Sequence, residues 1–144
     1  MTKYSTALFA SGNSGRWNSN GKFVVYCSEN RSLACLENLV QRNFNEIKKN
    51  LKFSLLEIEI PSELIAKTVS EKKLSLGWKL PGAYDISQPI GDNWYNEKKH
   101  AVLKVPTALI PNEFNYVINT LHPEFNKIKI KAVYSFEFDN RLKT

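Results

Sequence analysis

The sequence predicts a single domain of the α+β class. Its 144 residues fall within the usual length of one domain. Hydrophobic residues make up 42% and charged residues 24% of the chain, a composition that excludes a disordered or fibrous protein. The order of the elements decides the class, because one strand and one helix come first and strands dominate the second half. A regular alternation of strands and helices would instead predict a parallel sheet.

The first predicted elements are a strand and a helix. The chain before the strand is rich in Gly, Asn and Ser and is predicted to be irregular. Asn20-Gly21 is a strong turn signal ahead of a strand over about 22–27. Apolar residues then recur on one helical face and predict a helix from about 31 to 43 or beyond, which Ser28 or Asn30 would cap. That face consists of Leu33, Leu36, Val40 and Phe44.

The middle of the chain alternates between regular and irregular segments. Strict alternation predicts a half-buried strand over about 53–60, stopped by Pro61. A short helix is predicted over about 62–70. Gly and Pro signals predict a long irregular loop over 76–90, of a length that is usually functional, with a short helix starting near Gly91.

The second half is dominated by strands. Alternation and the content of β-branched and aromatic residues predict four of them. They cover 101–105, 115–118, 128–130 and 134–138.

Charge, cysteine content and hydropathy limit the setting. A net charge of +6 permits an anionic partner such as a nucleic acid, a nucleotide or an acidic protein. Cys27 and Cys35 lie in a predicted strand and helix, so both are expected to be reduced and buried. No apolar run is long enough to span a membrane, and the first residues lack the layout of a secretory signal. We therefore expect a cytoplasmic protein.

Glu37 is the most informative single residue. The helical projection places it on the shoulder of the apolar stripe, near Leu33 and Phe44. A carboxylate there is half-buried, and its desolvation is costly unless the charge is paired or used. Glu37 is therefore a candidate for catalysis or ligand binding. The plainer alternative is a surface glutamate paired with Gln41 or Arg42.

A Gly- and Asn-rich loop just before the first strand carries Arg16, Trp17 and Asn18. A guanidinium there suits bidentate binding of phosphate or carboxylate, and an indole beside it suits packing against a ring. The alternative is a solvated Arg16 with Trp17 at the edge of the core. Tyr26 ends the first strand at the junction to the helix, where it either faces a cleft or lies in the core with its hydroxyl bonded.

Other common chemical motifs are missing from the sequence. His100 and His122 are isolated and have no metal-ligand spacing around them, so no metal site is expected. The glycine-rich phosphate-binding motifs and the nucleophile elbow of hydrolases are also absent. Lys127, Lys129 and Lys131 would share one face of a strand, which suits either RNA binding or a solvated surface.

Taken in order, five segments resemble the RES domain family, the toxin component of a bacterial toxin and antitoxin pair. The segments are Gly15-Arg16-Trp17-Asn18 with Gly21; Val25-Tyr26 followed by Ser32-Leu33-Ala34-Cys35-Leu36-Glu37; Ile90-Gly91-Asp92-Asn93-Trp94; Val105-Pro106-Thr107-Ala108; and Asn115, Asn119 and His122-Pro123-Glu124-Phe125, closing with Phe136-Glu137-Phe138-Asp139 and Arg141-Leu142. Together they cover nearly the whole chain as one RES domain over 1–144.

The resemblance implies a mixed, split β-core similar to that of ADP-ribosyltransferase toxins, with a cleft that takes NAD. It implies cleavage of the bond between nicotinamide and ribose by water or phosphate, with NAD as the substrate and no further cofactor. An Xre-like antitoxin is the expected partner, and nucleic acid would be reached only through it. The resemblance assigns Arg16, Tyr26, Glu37 and Thr107 to catalysis, and Arg16, Trp17, Asn18, Tyr26 and Glu37 to NAD binding.

Charge chemistry is consistent with these roles. Cleavage develops positive character on the ribose, which a nearby carboxylate such as Glu37 stabilises. Arg16 would bind the pyrophosphate, and Tyr26 would pack on the nicotinamide or ribose. Two departures from the family pattern stand out. Thr107 replaces a serine, and the usual first strand with its Tyr-Arg pair is missing before the Arg16 loop.

Three other functions stay open at this point. The same site in a protein ADP-ribosyltransferase would transfer ADP-ribose to a protein. A catalytically inactive module would only bind the antitoxin. A basic RNA-binding domain would show steeply salt-dependent affinity for nucleic acid.

Overall fold

Two β-sheets and two α-helices form the fold within the residues that the structure describes, which confirms the α+β class. The structure is a computed structural model and describes residues 8–41, 52–139 and 141–142. In chain order the elements are β1 (Val24–Ser28), α1 (Arg31–Gln41), β2 (Phe53–Glu59), α2 (Ser87–Glu97), β3 (Val102–Pro106), β4 (Phe114–Asn119) and β5 (Lys129–Phe136).

Three strands pair antiparallel in the order β1-β4-β3. In the central strand β4, Val117 and Ile118 are fully buried on opposite faces of the sheet. Residues directly opposite each other in an antiparallel pair share a face, so Tyr26 and Ser28 lie on the face of Val117 and Asn115. The core on this face also contains the three tryptophans of the chain, Trp17, Trp78 and Trp94.

Strands β2 and β5 form a separate antiparallel sheet, so the β-core is split as the resemblance implies. A bulge between Glu57 and Ile58 shifts their register. Ile58 packs against the core around Ile118, which joins the two sheets. The parallel component of the described fold is an isolated bridge between Ile65 and Val102 at the β3 edge.

Helix α1 begins where the sequence predicts. Asn30 is its cap, because its Oδ1 accepts the Leu33 N–H at 2.8 Å. Leu33 anchors the helix in the core with 2% of its surface exposed. The predicted continuation to residue 43 lies outside the described residues.

Strand predictions are confirmed at β1 to β4 and wrong in one detail. The predicted strands over 128–130 and 134–138 are a single strand, β5, which runs unbroken from Lys129 to Phe136. Pairing with β2 continues through the residues between the two predicted strands. Tertiary pairing therefore overrides the local gap in the pattern.

Two helix predictions need correction. The predicted helix over 62–70 is only one turn, Ser62–Leu64, because the following chain bonds along β3. Ala66 N–H donates to the Val102 carbonyl at 2.8 Å in that pairing. Helix α2 starts at Ser87, before the predicted Gly91. Pro89 falls in its first turn, where no backbone N–H is needed, so it does not end the helix.

Cys27 and Cys35 are both free, as predicted, but each is half-buried instead of buried. Within the described residues, no helix has the length and apolar character that a membrane crossing requires.

Candidate active site

An open cleft of about 780 Å³ lies between α1, the end of β1 and the two-stranded sheet. This volume is typical of small-molecule sites, which span about 300–1,000 Å³. Four polar lining residues, Tyr26, Ser28, Glu37 and Asn115, are called the polar wall below. Four apolar ones, Phe53, Leu55, Phe136 and Phe138, are called the apolar wall.

The Glu37 carboxylate is held by one of its two oxygens. Its Oε1 accepts hydrogen bonds from Thr107 Oγ1 at 2.7 Å and from Asn115 Nδ2 at 2.8 Å. Among the described residues, none donates to Oε2 or forms an ion pair with this carboxylate. The surface pairing with Gln41 is therefore not the arrangement found, and Arg42 lies outside the described residues. Within the described part of the chain, Oε2 of Glu37 therefore has no hydrogen-bond donor, and Glu37 lines the cleft.

Both donors to Glu37 are themselves fixed. Thr107 is 1% exposed, and its Oγ1 accepts the Leu109 N–H at 3.1 Å, which directs the hydroxyl proton to Glu37. Asn115 Oδ1 accepts from Ser28 Oγ at 2.8 Å, which directs the amide N–H to Glu37. The carboxylate is thus oriented by a chain of bonds that reaches back to β1.

Asn115 and Ser28 were not among the candidates predicted from the sequence. The signal that points to them is the alternation in β4, which puts Asn115 on the same face as the buried Val117. A polar side chain on such a face requires a partner, and the register with β1 supplies Ser28.

Tyr26 presents its ring to the cleft and anchors its hydroxyl away from it. The hydroxyl donates to Asn18 Oδ1 and accepts the Trp17 N–H at 3.1 Å. The residue is 41% exposed, so the ring surface is accessible while the hydroxyl is enclosed. Gly15 is required here, because a Cβ on it would lie 2.8 Å from the Tyr26 hydroxyl oxygen.

Helix α2 clamps the loop that holds the Tyr26 hydroxyl. The clamping bonds run from Ser87 Oγ to the Arg16 carbonyl at 2.6 Å, from Gln88 Nε2 to the Gly15 and Asn18 carbonyls at 2.8 and 3.1 Å, and from the Ser19 N–H to Asp92 Oδ1 at 2.9 Å. A Cβ on Gly91 would lie 1.6 Å from the Trp17 carbonyl oxygen. Only glycine therefore lets the helix and the loop approach this closely.

The Arg16 guanidinium binds a neighbouring loop. It donates to the Trp78 carbonyl and, at 3.4 Å each, to the carbonyls of Lys79 and Leu80. Its central carbon lies 5.7 Å from the Trp78 ring centre and 5.1 Å from that of Tyr84. Arg16 thereby ties its own loop to the long 76–86 loop, and the described lining of the cleft does not include it.

Burial keeps two groups near the cleft in their neutral form. Desolvation raises the pKa of the Tyr26 phenol well above its ordinary value. Nearby Tyr84 and Asp92 raise it further, while the hydrogen bond from Trp17 N–H and the charge of Arg16 lower it in part. Desolvation likewise raises the pKa of the Cys27 thiol to about 12. Neither group is therefore a ready nucleophile at neutral pH.

The structure brings the sequence candidates together in two sets. Glu37 and Thr107 are in direct contact. Tyr26 binds both Trp17 and Asn18, whose side chains are 2% and 1% exposed. Tyr26 and Glu37 then line the same cleft.

The family of this chain follows from its match to a known family model. A family model described as the RES domain matches residues 2–139. The chain belongs to the RES domain family. Its RES domain spans nearly the whole sequence.

Curated relatives of this RES domain carry toxin names. The chain is 35% identical over 130 residues to "Prs ADP-ribosylating toxin" of Sphingobium sp. (strain YBL2). The alignment covers 89% of this chain and 80% of the relative. It is 33% identical over 129 residues to "Toxin Res" of Photorhabdus laumondii, covering 89% and 81%. It is 32% identical over 130 residues to "Toxin Res" of Yersinia enterocolitica, covering 90% and 84%.

One departure from the RES pattern has a structural account. Thr107 occupies the position where the resemblance implies serine. Its Oγ1 makes the bond to Glu37, and a serine would supply the same atom. The added methyl group is enclosed, since Thr107 is 1% exposed.

Proposed function

We propose that this RES domain is a toxin that uses NAD and breaks the bond between its nicotinamide and ribose. The observation that carries the proposal is the Glu37 carboxylate at the cleft, which has one oxygen fixed by Thr107 and Asn115 and the other without a donor among the residues that the structure describes. A carboxylate held in this way is suited to stabilising positive charge that develops on a bound sugar.

The names of the relatives favour the same chemistry. An ADP-ribosylating enzyme takes ADP-ribose from NAD, and one relative bears that name. A cleft of about 780 Å³ has room for a dinucleotide, and its apolar wall offers aromatic surface to a base or nicotinamide ring.

In the proposed reaction, the carbon–nitrogen bond to nicotinamide breaks and its electron pair leaves with the nicotinamide nitrogen. Glu37 Oε2 accepts from the ribose hydroxyls and stabilises the oxocarbenium character of the sugar. Water or phosphate then adds to the same carbon and loses a proton, which gives ADP-ribose or its phosphate ester. NAD is the substrate, and no further cofactor takes part.

The other candidates act around this carboxylate. Tyr26 offers its ring to the nicotinamide or ribose, while Trp17 and Asn18 fix its hydroxyl. Thr107 orients Glu37 through the hydrogen bond from its Oγ1 to Oε1. Direct contact of Arg16, Trp17 and Asn18 with NAD, which the resemblance implies, stays a prediction.

The partner we propose is an Xre-like antitoxin that binds the chain in the cytoplasm and brings it to DNA indirectly. The toxin names of the relatives fit a protein that needs such a partner. Coexpression with a candidate antitoxin should relieve growth arrest and abolish loss of NAD.

The test is to incubate the purified chain with NAD, with and without phosphate, and to follow NAD and nicotinamide by chromatography. We expect loss of NAD, and Glu37→Gln should lower turnover at least about a hundredfold, as removal of one electrostatic stabiliser does. Circular dichroism should show the variant folded. Glu97→Gln makes the same chemical change on the exposed end of α2 and should leave turnover unchanged. Stable NAD with the folded wild-type chain, or full activity of Glu37→Gln, would refute the proposal.

A second candidate function, transfer of ADP-ribose to a protein, is favoured by the name of one relative. It would use the same site with a protein side chain in place of water. NAD labelled in its adenine part separates the two, because the label ends either on protein or in free ADP-ribose. An inactive antitoxin-binding module would release no nicotinamide in either experiment.

A further inference from the structure

The charged groups around the cleft are unevenly balanced. Among its described lining residues, three are carboxylates and one is a cation. The carboxylates are Glu29, Glu37 and Glu57, and the cation is Arg31. NAD carries two negative charges on its diphosphate, and among these described charged groups Arg31 is the one that attracts them.

Arg31 is available to bind an anion. It is the first residue of α1 and is exposed. No described carboxylate pairs with it, and it contacts an aromatic ring, with the guanidinium carbon 4.8 Å from the Tyr134 ring centre. A guanidinium stacked on a ring is held in place, while its N–H donors point outward in its own plane. Tyr134 thus lies against the Arg31 guanidinium, and Arg31 lines the cleft.

Arg16 is engaged in a different way. Its guanidinium donates to three loop carbonyls and lies close to the rings of both Trp78 and Tyr84. Binding a diphosphate there would leave those carbonyls without their donors. Among the described residues, none accepts a hydrogen bond from the Arg31 guanidinium.

The spacing between Arg31 and Glu37 fits the substrate. They are six positions apart on α1, which is about 9 Å along the helix axis at 1.5 Å per residue. In NAD, a ribose ring and one methylene group separate the reacting carbon from the first phosphate. A long Arg31 side chain can reach a phosphate when Glu37 lies at that ribose.

We infer that Arg31 binds the diphosphate of NAD and sets the affinity of the cleft for phosphorylated substrates. This assignment rests on the proposed function, because it places the reacting ribose at Glu37. Two charge-assisted hydrogen bonds from a planar guanidinium suit a phosphate, and their loss weakens binding by about ten- to a hundredfold.

The test compares Arg31→Ala on two substrates, NAD and nicotinamide riboside, which has no phosphate. We expect KM for NAD to rise at least tenfold with kcat within about twofold, and kcat/KM for the riboside to stay unchanged. Arg31→Lys should recover part of the loss. Arg141→Ala is the matched control, since it removes the same charge from a residue paired with Asp139 outside the cleft lining. An equal loss on both substrates, or a loss no larger than that of Arg141→Ala, would overturn the assignment.

Binding of ADP-ribose and adenosine, measured by calorimetry, tests Arg31 without catalysis. We expect Arg31→Ala to weaken ADP-ribose binding at least tenfold and to leave adenosine binding unchanged. That result in a chain that does not cleave NAD would support Arg31 and refute the proposed function. ADP-ribose affinity that falls with Arg16→Lys and not with Arg31→Ala would return the diphosphate to Arg16.

Discussion

The two walls of the cleft lie on sheets that differ in how deeply they are buried. The polar wall rests on the three-stranded sheet, where Val105 and Val117 have no exposed surface. The apolar wall rests on β2 and β5, which contain no buried residue. Its three phenylalanines support one another edge to face, with the Phe138 ring centre 5.1 Å from both Phe53 and Phe136.

The two walls serve different purposes in the proposed site. Catalytic groups need fixed geometry, and each group of the polar wall is oriented by residues from another element: Glu37 by Thr107 and Asn115, and Tyr26 by the loop under α2. A binding surface needs only shape and apolar area, which the thinner sheet supplies. Disruption beneath the polar wall should therefore cost more than truncation on the apolar wall.

The largest effect is expected from Gly91→Ala, which breaks the support of the polar wall. The new Cβ would lie 1.6 Å from the Trp17 carbonyl oxygen, so helix α2 and the Tyr26 loop must separate. We expect the free energy of unfolding to fall by at least about 3 kcal/mol, at the high end for overpacking. Urea unfolding followed by circular dichroism measures it.

Gly77→Ala is the matched control for this change. A Cβ there meets Leu80 Cδ1 at 3.5 Å, an ordinary contact, and stability should change by less than about 0.5 kcal/mol. Equal losses from the two variants would mean that the close approach of α2 is not what supports the wall.

The next effect is expected from Thr107→Val, which removes one hydrogen bond to Glu37 and keeps the shape of the side chain. Among the described residues, Oε1 then retains Asn115 alone as a donor. We expect kcat to fall about tenfold or more, with KM for NAD nearly unchanged, because hydrogen bonds to a charged group contribute about 1.5–3 kcal/mol. Thr107→Ser keeps the hydroxyl and should stay within about threefold of the wild type. If the serine variant is as impaired as the valine variant, the hydroxyl does not orient Glu37.

A smaller effect is expected on the apolar wall, from Phe138→Leu. The change removes two edge-to-face contacts, which are worth about 0.5–1.5 kcal/mol in aromatic pairs. KM for NAD should rise by a few-fold while kcat stays unchanged. Leu121→Ala, an exposed apolar truncation outside the cleft lining, should alter neither. A fall in kcat with unchanged KM would give the apolar wall a part in positioning the reacting groups.

The sequence predicts only part of the structure on which the two walls depend. Local patterns are enough for α1 and β1, because a helix cap and an amphipathic face act within a few residues. Glu37 is identifiable for the same reason, since its place beside the apolar stripe follows from helix geometry alone. The residues that orient its carboxylate are not identifiable from local sequence patterns. Asn115 lies on β4 and Thr107 directly follows β3, and only the register of β1, β3 and β4 brings them to one carboxylate.

Segments whose structure depends on distant partners are also the ones predicted incorrectly. The 62–70 segment looks helical in isolation but bonds along β3 instead. Pro89 looks like a helix breaker but falls in the first turn of α2, which Ser87 and Gln88 fasten to the loop around Arg16. Sequence periodicity carries no information on such long-range bonds.

The smallest effect is expected from the Tyr26 hydroxyl, on stability at alkaline pH. It tests whether the hydroxyl is enclosed while the ring is exposed. Its pKa in the folded chain lies above the ordinary value of 10.0, mainly because the hydroxyl is desolvated. As pH rises past about 10, the unfolded chain loses this proton while the folded chain keeps it, so the unfolded state binds fewer protons and stability falls. Below the ordinary pKa both states are protonated and stability is unaffected. Urea unfolding should show a steeper alkaline loss for the wild type than for Tyr26→Phe, and absorbance titration near pH 10 should show equal phenolate amplitudes for the two. A wild-type amplitude larger by one phenol would place the hydroxyl in solvent and remove the anchor from the polar wall.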